Sequence, residues 1–109
     1  MNADQTGTTQ TITASGRIDA ASAPLLDRQL RALYAAGSRD IAIDMGTVTH
    51  MSSSGMRVLL VALHRQQSIG GSLVLYGVPE RVYRVLAIVG FDRVLDVHPS
   101  LPAASDSVG

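Results

Sequence analysis

The fold of this chain is constrained most by a regular alternation of helical periodicities with short β-favouring runs. One helix is marked most clearly, because its apolar residues recur at i, i+3, i+4 and i+7. These residues are Met56, Leu59, Leu60 and Leu63. Gly70-Gly71 follows and is placed to end this helix.

Two further helices are marked by a proline at their start. Pro24 can serve as a first helical residue, and apolar side chains follow at helical spacing until Gly37. Pro79 opens another helix, which Gly90 is placed to close. The apolar residues of the two helices are Leu26, Leu30, Leu33 and Tyr34, then Val82, Val85, Leu86 and Val89.

Short β-favouring segments separate the predicted helices. They are residues 9–14 and 16–18, which flank a predicted turn at Ser15-Gly16, then 41–45, 72–76 and 93–97. Strands that alternate with helices over short connections indicate a parallel sheet with helices packed against it. We therefore predict a single small α/β domain over residues 9–98, with four to five mostly parallel strands and three to four helices. Residues 1–8 and 99–109 are predicted to be flexible tails.

Composition excludes several classes of function. The chain has 109 residues, nine arginines, no lysine, nine acidic residues and no cysteine. The charges are intermixed and sum to zero, so no basic face is predicted for direct nucleic-acid binding. Disulfides, thiolate metal sites and cysteine nucleophiles are excluded. No apolar run approaches the ~20 residues of a membrane span, and the polar first ten residues resemble no secretory signal. A cytoplasmic protein is predicted.

Three consecutive serines stand in the stretch HMSSSGM, between a predicted strand and a predicted helix. Ser52 or Ser53 can cap the helix by accepting a bond from a free amide. The functional interpretation is that one of them accepts a phosphate, because a helix start has free amides and the positive end of the dipole. Helix capping accounts for only one of the three serines. Both the capping and the phosphate-acceptor interpretations therefore stay open at this point.

Catalysis, metal binding and nucleotide binding have no motif here. The residues around the serines do not form G-x-S-x-G, and the absence of lysine excludes a normal phosphate-binding loop. His50, His64 and His98 show no metal or general-base spacing. We expect His50 in a loop and His64 on the edge or polar face of its helix. No catalytic residue, metal or cofactor is predicted.

Three charged residues are further candidates. Asp19 can cap the first helix or present its charge at the sheet end that carries the serines. Asp44 is predicted to end its strand and accept a loop hydrogen bond. Arg57 stands four residues after Ser53, so the two side chains share a helix face if Ser53 begins the helix. Arg57 is then either a solvated side chain or the partner of a phosphate on Ser53.

Together these motifs resemble the STAS domain of bacterial anti-sigma-factor antagonists. The resemblance covers about residues 9–98. The family motif begins with a strand that ends in Asp, a short loop, and D-S-S-G-[LM] at the start of a helix. A Gly-Gly turn and a second helix that begins with proline follow. The matching residues are Asp44, Ser53 to Met56, Gly70-Gly71, Pro79 and Gly90-Phe91, with the segment GRID at 16–19.

The resemblance implies a regulator of transcription that is itself not an enzyme. Its partner would be an anti-sigma factor with serine-kinase activity, and a separate phosphatase would act on phospho-Ser53. Ser53 would be the acceptor, with Ser52 and Ser54 as alternatives. The implied partner-binding residues are Asp19, Ser52, Ser53, Ser54, Gly55, Met56 and Arg57.

Two residues depart from the family pattern. Ser52 stands where the family usually has an acid, and Arg57 stands where small residues are common. The first departure leaves a second interpretation open, in which the chain is an unphosphorylated STAS scaffold or nucleotide-sensing module of a transporter or signalling assembly.

Overall fold

The computed structural model describes residues 9–99, which form one α/β domain. Its elements in chain order are β1 (Gln10–Ile18), α1 (Ala23–Ala35), β2 (Asp40–Met51), α2 (Ser53–Ser68), β3 (Ser72–Val78), α3 (Glu80–Ile88), α4 (Phe91–Val94) and β4 (Asp96–Pro99). The described strands form one sheet in the order β1-β2-β3-β4, and every neighbouring pair is parallel. The predicted fold class is confirmed. The predicted tails lie outside the described residues, except that Pro99 is the last residue of β4.

The core lies on one face of the sheet because side chains alternate between the two faces of each strand. Ile41 and Ile43 of β2 are fully buried, as is Leu75 at the paired position of β3. Leu59 of α2 and Leu86 of α3 are also fully buried in this cluster. Residues of the opposite face, such as Ala42, Asp44 and Val74, are half-buried.

The prediction of two short strands at the start of the chain is wrong. Residues 10–18 form one strand whose register with β2 shifts between Thr13 and Ser15 and again between Gly16 and Arg17. Gly16 has a φ of 69°, which a glycine adopts without strain. The Ser15-Gly16 signal therefore produces a bulged strand rather than a turn.

Strand β2 is longer than its sequence suggested. It continues past Asp44 to Met51, because its second half pairs with the second half of β1. The predictions that Asp44 ends the strand and that His50 lies in a loop are both wrong, since His50 pairs with Arg17 within the sheet.

The end of the described chain also differs from prediction. Residues 91–94 form the short helix α4, which follows Gly90 with its φ of 83°. The last strand therefore starts at Asp96 rather than at residue 93. Within residues 9–99, no helix combines the length and the apolar character that crossing a membrane requires.

Candidate functional site

The carboxyl ends of β1 and β2 bring Asp19 and the three serines to the same edge of the sheet. Ile18 and Met51 are paired at the ends of the two strands, and the amide of Ser52 donates to the carbonyl oxygen of Ile18 at 2.8 Å. The chain then turns directly into α2. Asp19 follows Ile18, so it lies beside the start of α2, as one of its two sequence interpretations required.

Ser52 is the residue that caps α2. Its backbone is extended, with φ −95° and ψ 174°, and its hydroxyl accepts a hydrogen bond from the amide of Gly55 at 3.3 Å. Its carbonyl oxygen accepts the first bond of the helix, from the amide of Met56 at 3.0 Å. Its side chain is half-buried. The structural role that sequence left open between Ser52 and Ser53 therefore belongs to Ser52.

Ser53 is the first residue of α2 and is exposed. Within residues 9–99, its hydroxyl makes no hydrogen bond, and the same holds for the half-buried Ser54. Ser53 therefore presents the most accessible hydroxyl of the three. It stands where amides without helical partners and the positive end of the helix dipole favour an anion.

No acidic side chain on α2 opposes a negative charge at Ser53. The first turn of α2 contains no acidic residue. Arg57 is exposed, lies one turn beyond Ser53, and forms no ion pair with any residue in the described range. Residues four apart on a helix are neighbours on its surface. The helix start can therefore accept negative charge.

Asp19 does not cap α1, whose N-cap residue is Ser22, but it presents its charge at the sheet end that carries the serines. One carboxylate oxygen accepts hydrogen bonds from the amides of Ala21 and Ser22, both at 3.1 Å. The other lies 3.7 Å from Nε of Arg17. The amide of Ser22, followed by its hydroxyl, holds the pKa of Asp19 below its ordinary value, although desolvation opposes this shift. Asp19 thus shapes the turn and stays charged beside the serines.

Gly55 fits this site because the first turn of α2 rests on the ends of two strands. Gly55 is buried, and a Cβ built there would collide with Sδ of Met51 and lie 2.7 Å from Cγ2 of Ile18. Met56 is half-buried and packs against the core. Of the seven predicted partner-binding residues, Ser53 and Arg57 are exposed, while Gly55 supports the site from below.

Sequence reasoning missed the contributions of Ile18 and Ser22. Ser22 donates its hydroxyl to the carbonyl of Arg17 at 2.6 Å and accepts from the amide of Asp19 at 3.0 Å. Its position three residues after Asp19 is the signal that could have revealed this reciprocal pair. The role of Ile18 had no local signal, because it depends on a contact with residue 52.

The remaining polar candidates lie elsewhere. His64 is exposed on α2, as predicted, and His98 lies 2.8 Å from the carboxylate of Asp96. Asp44 accepts from the amide of Gly46 at 2.9 Å, so its predicted acceptor role is present although its strand continues. Residues 9–99 hold no cluster of three or more His, Cys, Asp or Glu side chains that could bind a metal.

Comparisons with known proteins agree with this architecture. The STAS domain family matches residues 1–104. An anti-sigma-B factor antagonist of Bacillus subtilis is 33% identical over 86 residues, which are 79% of this chain and 78% of that protein. An anti-sigma factor antagonist from Mycobacterium paratuberculosis has a solved structure with a TM-score of 0.77 at 24% identity, covering 96% of this chain and 88% of that one.

Two other solved structures share the fold. The phosphorylated form of the Bacillus cell fate determinant SpoIIAA gives a TM-score of 0.66 at 17% identity, covering 95% of this chain and 94% of that one. A sulfate transporter family protein from Wolinella succinogenes gives 0.73 at 22% identity, covering 88% and 80%. The fold alone therefore does not separate the two functions considered above. The family and curated matches establish that the chain belongs to the STAS domain family, in which its curated relatives are anti-sigma factor antagonists.

Proposed function

We propose that this chain binds an anti-sigma factor with serine-kinase activity, releases a sigma factor, and loses that binding when Ser53 is phosphorylated. The proposal rests on the different environments of two neighbouring serines. Ser52 is engaged as the helix cap, whereas Ser53 is exposed with a free hydroxyl within the described range. The names of the curated relatives support the antagonist role, and the phosphorylated form of SpoIIAA supports a covalent switch on this fold.

A phosphate on Ser53 would act through charge rather than refolding. It adds about −1.5 to −2 charge at pH 7 at a helix start, where the dipole favours an anion. The domain would therefore tolerate the phosphate, while a partner docked on this surface would have to bury it. Catalysis would belong to the partners: the anti-sigma factor would supply the kinase and ATP, and a phosphatase would remove the phosphate. As a regulator of transcription, the chain would act in the cytoplasm.

Ser52 explains how the site can work without the usual acid. Ser and Asp are comparable helix caps, and Ser52 keeps the hydrogen bond to Gly55 that a cap provides. Serine instead of the usual acid at residue 52 therefore removes a negative charge beside Ser53 but retains the geometry of the helix cap. We therefore expect the kinase to act on Ser53 and not on the engaged hydroxyl of Ser52.

Phosphate mapping tests the proposal directly. The purified chain is incubated with ATP and, in turn, each kinase-fold anti-sigma factor of the source organism, and the products are mapped by mass spectrometry. We expect phosphate on Ser53 in the wild type and in the matched variants Ser52→Ala and Ser54→Ala, and none in Ser53→Ala. Circular dichroism checks that Ser52→Ala, which loses a cap worth ~1 kcal/mol, remains folded.

Two results would contradict this assignment. Phosphate found only on Ser52 or Ser54 would show that one of these residues, and not Ser53, is the acceptor. Absence of phosphate with every kinase-fold partner would favour the second candidate function, an unphosphorylated module of a transporter or signalling assembly. The serine at residue 52, in place of the usual acid, supports that candidate.

Arg57 is expected to lower the pKa of a phosphate on Ser53. A neighbouring cation stabilises the dianion, so Arg57→Ala should raise the second phosphate pKa by about 0.4–0.7 units, equivalent to ~0.5–1 kcal/mol. Phosphorus NMR titration of the phosphoproteins measures the difference. Arg65→Ala is the matched control, because Arg65 lies on the same helix ~18 Å from Ser53, beyond the Debye length in physiological salt. Superimposable titrations of wild type and Arg57→Ala would refute the contact.

A further inference from the structure

A cleft opens between α1 and the second half of β1. Its volume is about 140 Å³, and it is open to solvent on one side. Buried Ile18 and Leu26 form apolar walls, and Leu25 and Gln29 lie along α1 at the exposed rim. Leu25 is 57% exposed at the rim of the cleft. The cleft therefore fits one aliphatic side chain and leaves polar groups at its mouth.

The bulge in β1 shapes this cleft. The register with β2 shifts between Thr13 and Ser15, and the carbonyl of the intervening Ala14 accepts a bond from the hydroxyl of Thr47 at 3.4 Å. Bulged strands bend and re-aim their side chains.

The cleft is continuous with the candidate site through two residues. Ile18 lines the cleft, and its carbonyl accepts from the amide of Ser52 while its side chain lies beneath Gly55. Ser22 also lines the cleft, and it holds the turn that positions Asp19. A protein that covers Asp19 and Ser53 therefore covers a surface that leads into the cleft.

We propose that the cleft between β1 and α1 is a second part of the partner interface, which receives an aliphatic side chain of the anti-sigma factor. This inference rests on the proposed function, because it assigns the occupant to the same partner. It adds an apolar anchor to a site whose other exposed groups are polar. Phosphorylation of Ser53 and occupation of the cleft would act on adjoining parts of one interface.

The first test measures affinity. Leu25→Ser should weaken binding of the anti-sigma factor that phosphorylates Ser53 by roughly tenfold, because a rim aliphatic that packs against the anchor is lost. Ile88→Ser is the matched control: Ile88 is 82% exposed at the end of α3, outside the cleft, and its variant should bind within twofold of wild type. Leu25→Ser binding as tightly as Ile88→Ser would overturn the proposal.

The second test identifies the occupant. Gln29 is replaced by the photo-cross-linking residue p-benzoyl-phenylalanine, and the complex with the same anti-sigma factor is irradiated and mapped by mass spectrometry. A cross-link to an aliphatic-containing segment of the anti-sigma factor supports the proposal. A cross-link to a second copy of this chain, to residues 1–8 or 100–109 of the same chain, or to nothing overturns it.

The two proposals fail in different ways. If no anti-sigma factor binds or phosphorylates the wild-type chain, the proposed function fails. If the wild type is bound and phosphorylated on Ser53 while both cleft experiments are negative, only the cleft assignment fails.

Discussion

Replacing Ser53 with aspartate is expected to weaken binding of the anti-sigma factor by at least thirtyfold, whereas Ser53→Ala should bind within about threefold of wild type. The reason is desolvation, since a carboxylate placed in an interface without its own partner costs about 2–5 kcal/mol, or roughly 30-fold to several thousandfold in affinity. Alanine removes a hydroxyl that makes no hydrogen bond within the described residues. Isothermal titration calorimetry of the three proteins measures the difference.

A charge-matched control separates position from charge. Gln67→Glu adds one negative charge to the exposed surface near the other end of α2 and should bind like wild type. If Ser53→Asp also binds like wild type, the charge switch is refuted. If Ser53→Ala loses affinity as strongly as Ser53→Asp, the hydroxyl itself is a contact, and charge is not the mechanism.

The three longer helices of this fold could be predicted from sequence because their signals are local, whereas the short α4 was not predicted. Pro24 lies in the first turn of α1, and Pro79 immediately precedes α3. The strands were predicted less well, because their lengths depend on partners that lie far along the chain. Gly46 and the residues after it resemble a loop, yet β2 continues because the second half of β1 pairs with residues 47–51.

The sequence placed the three serines at the start of α2 but did not separate their roles. HMSSSGM marked the start of α2 correctly, and the position of Asp19 at the same sheet edge followed from parallel topology. The choice between Ser52 and Ser53 as cap required backbone angles, since either hydroxyl has a suitable sequence position. The cleft beside β1 had no sequence signal, because it arises from a bulge that the Ser15-Gly16 pair did not distinguish from a turn.

The far end of α2 is fixed by a buried hydrogen-bond cluster around Gln66. Gln66 is fully buried, and its Nε2 donates to the carbonyl oxygens of Ser38 at 3.0 Å and Arg39 at 2.7 Å. The amide of Gly71 donates to the carbonyl of Gln66 at 2.7 Å, and that of Gly70 donates to the carbonyl of Gln67 at 3.1 Å. These bonds form a Schellman motif, in which Gly70 adopts a φ of 75°. The motif brings Gly71 directly against the backbone of Arg39, which immediately precedes β2.

Gly71→Ala is expected to destabilise the domain by about 3–4 kcal/mol, because its Cβ would overlap the carbonyl oxygen of Arg39. That oxygen belongs to the backbone and already accepts from Gln66 and from the amide of Ser72 at 2.9 Å, so relief requires the strand or the helix end to move. Urea denaturation followed by circular dichroism measures the change. Gly37→Ala is the control: it carries the strain of a φ of 79° but meets no atom within 4 Å, and should cost ~1–2 kcal/mol. Gly71 itself does not adopt a positive φ, so a loss in Gly71→Ala no larger than that in Gly37→Ala would show that its approach to the backbone of Arg39 does not require glycine.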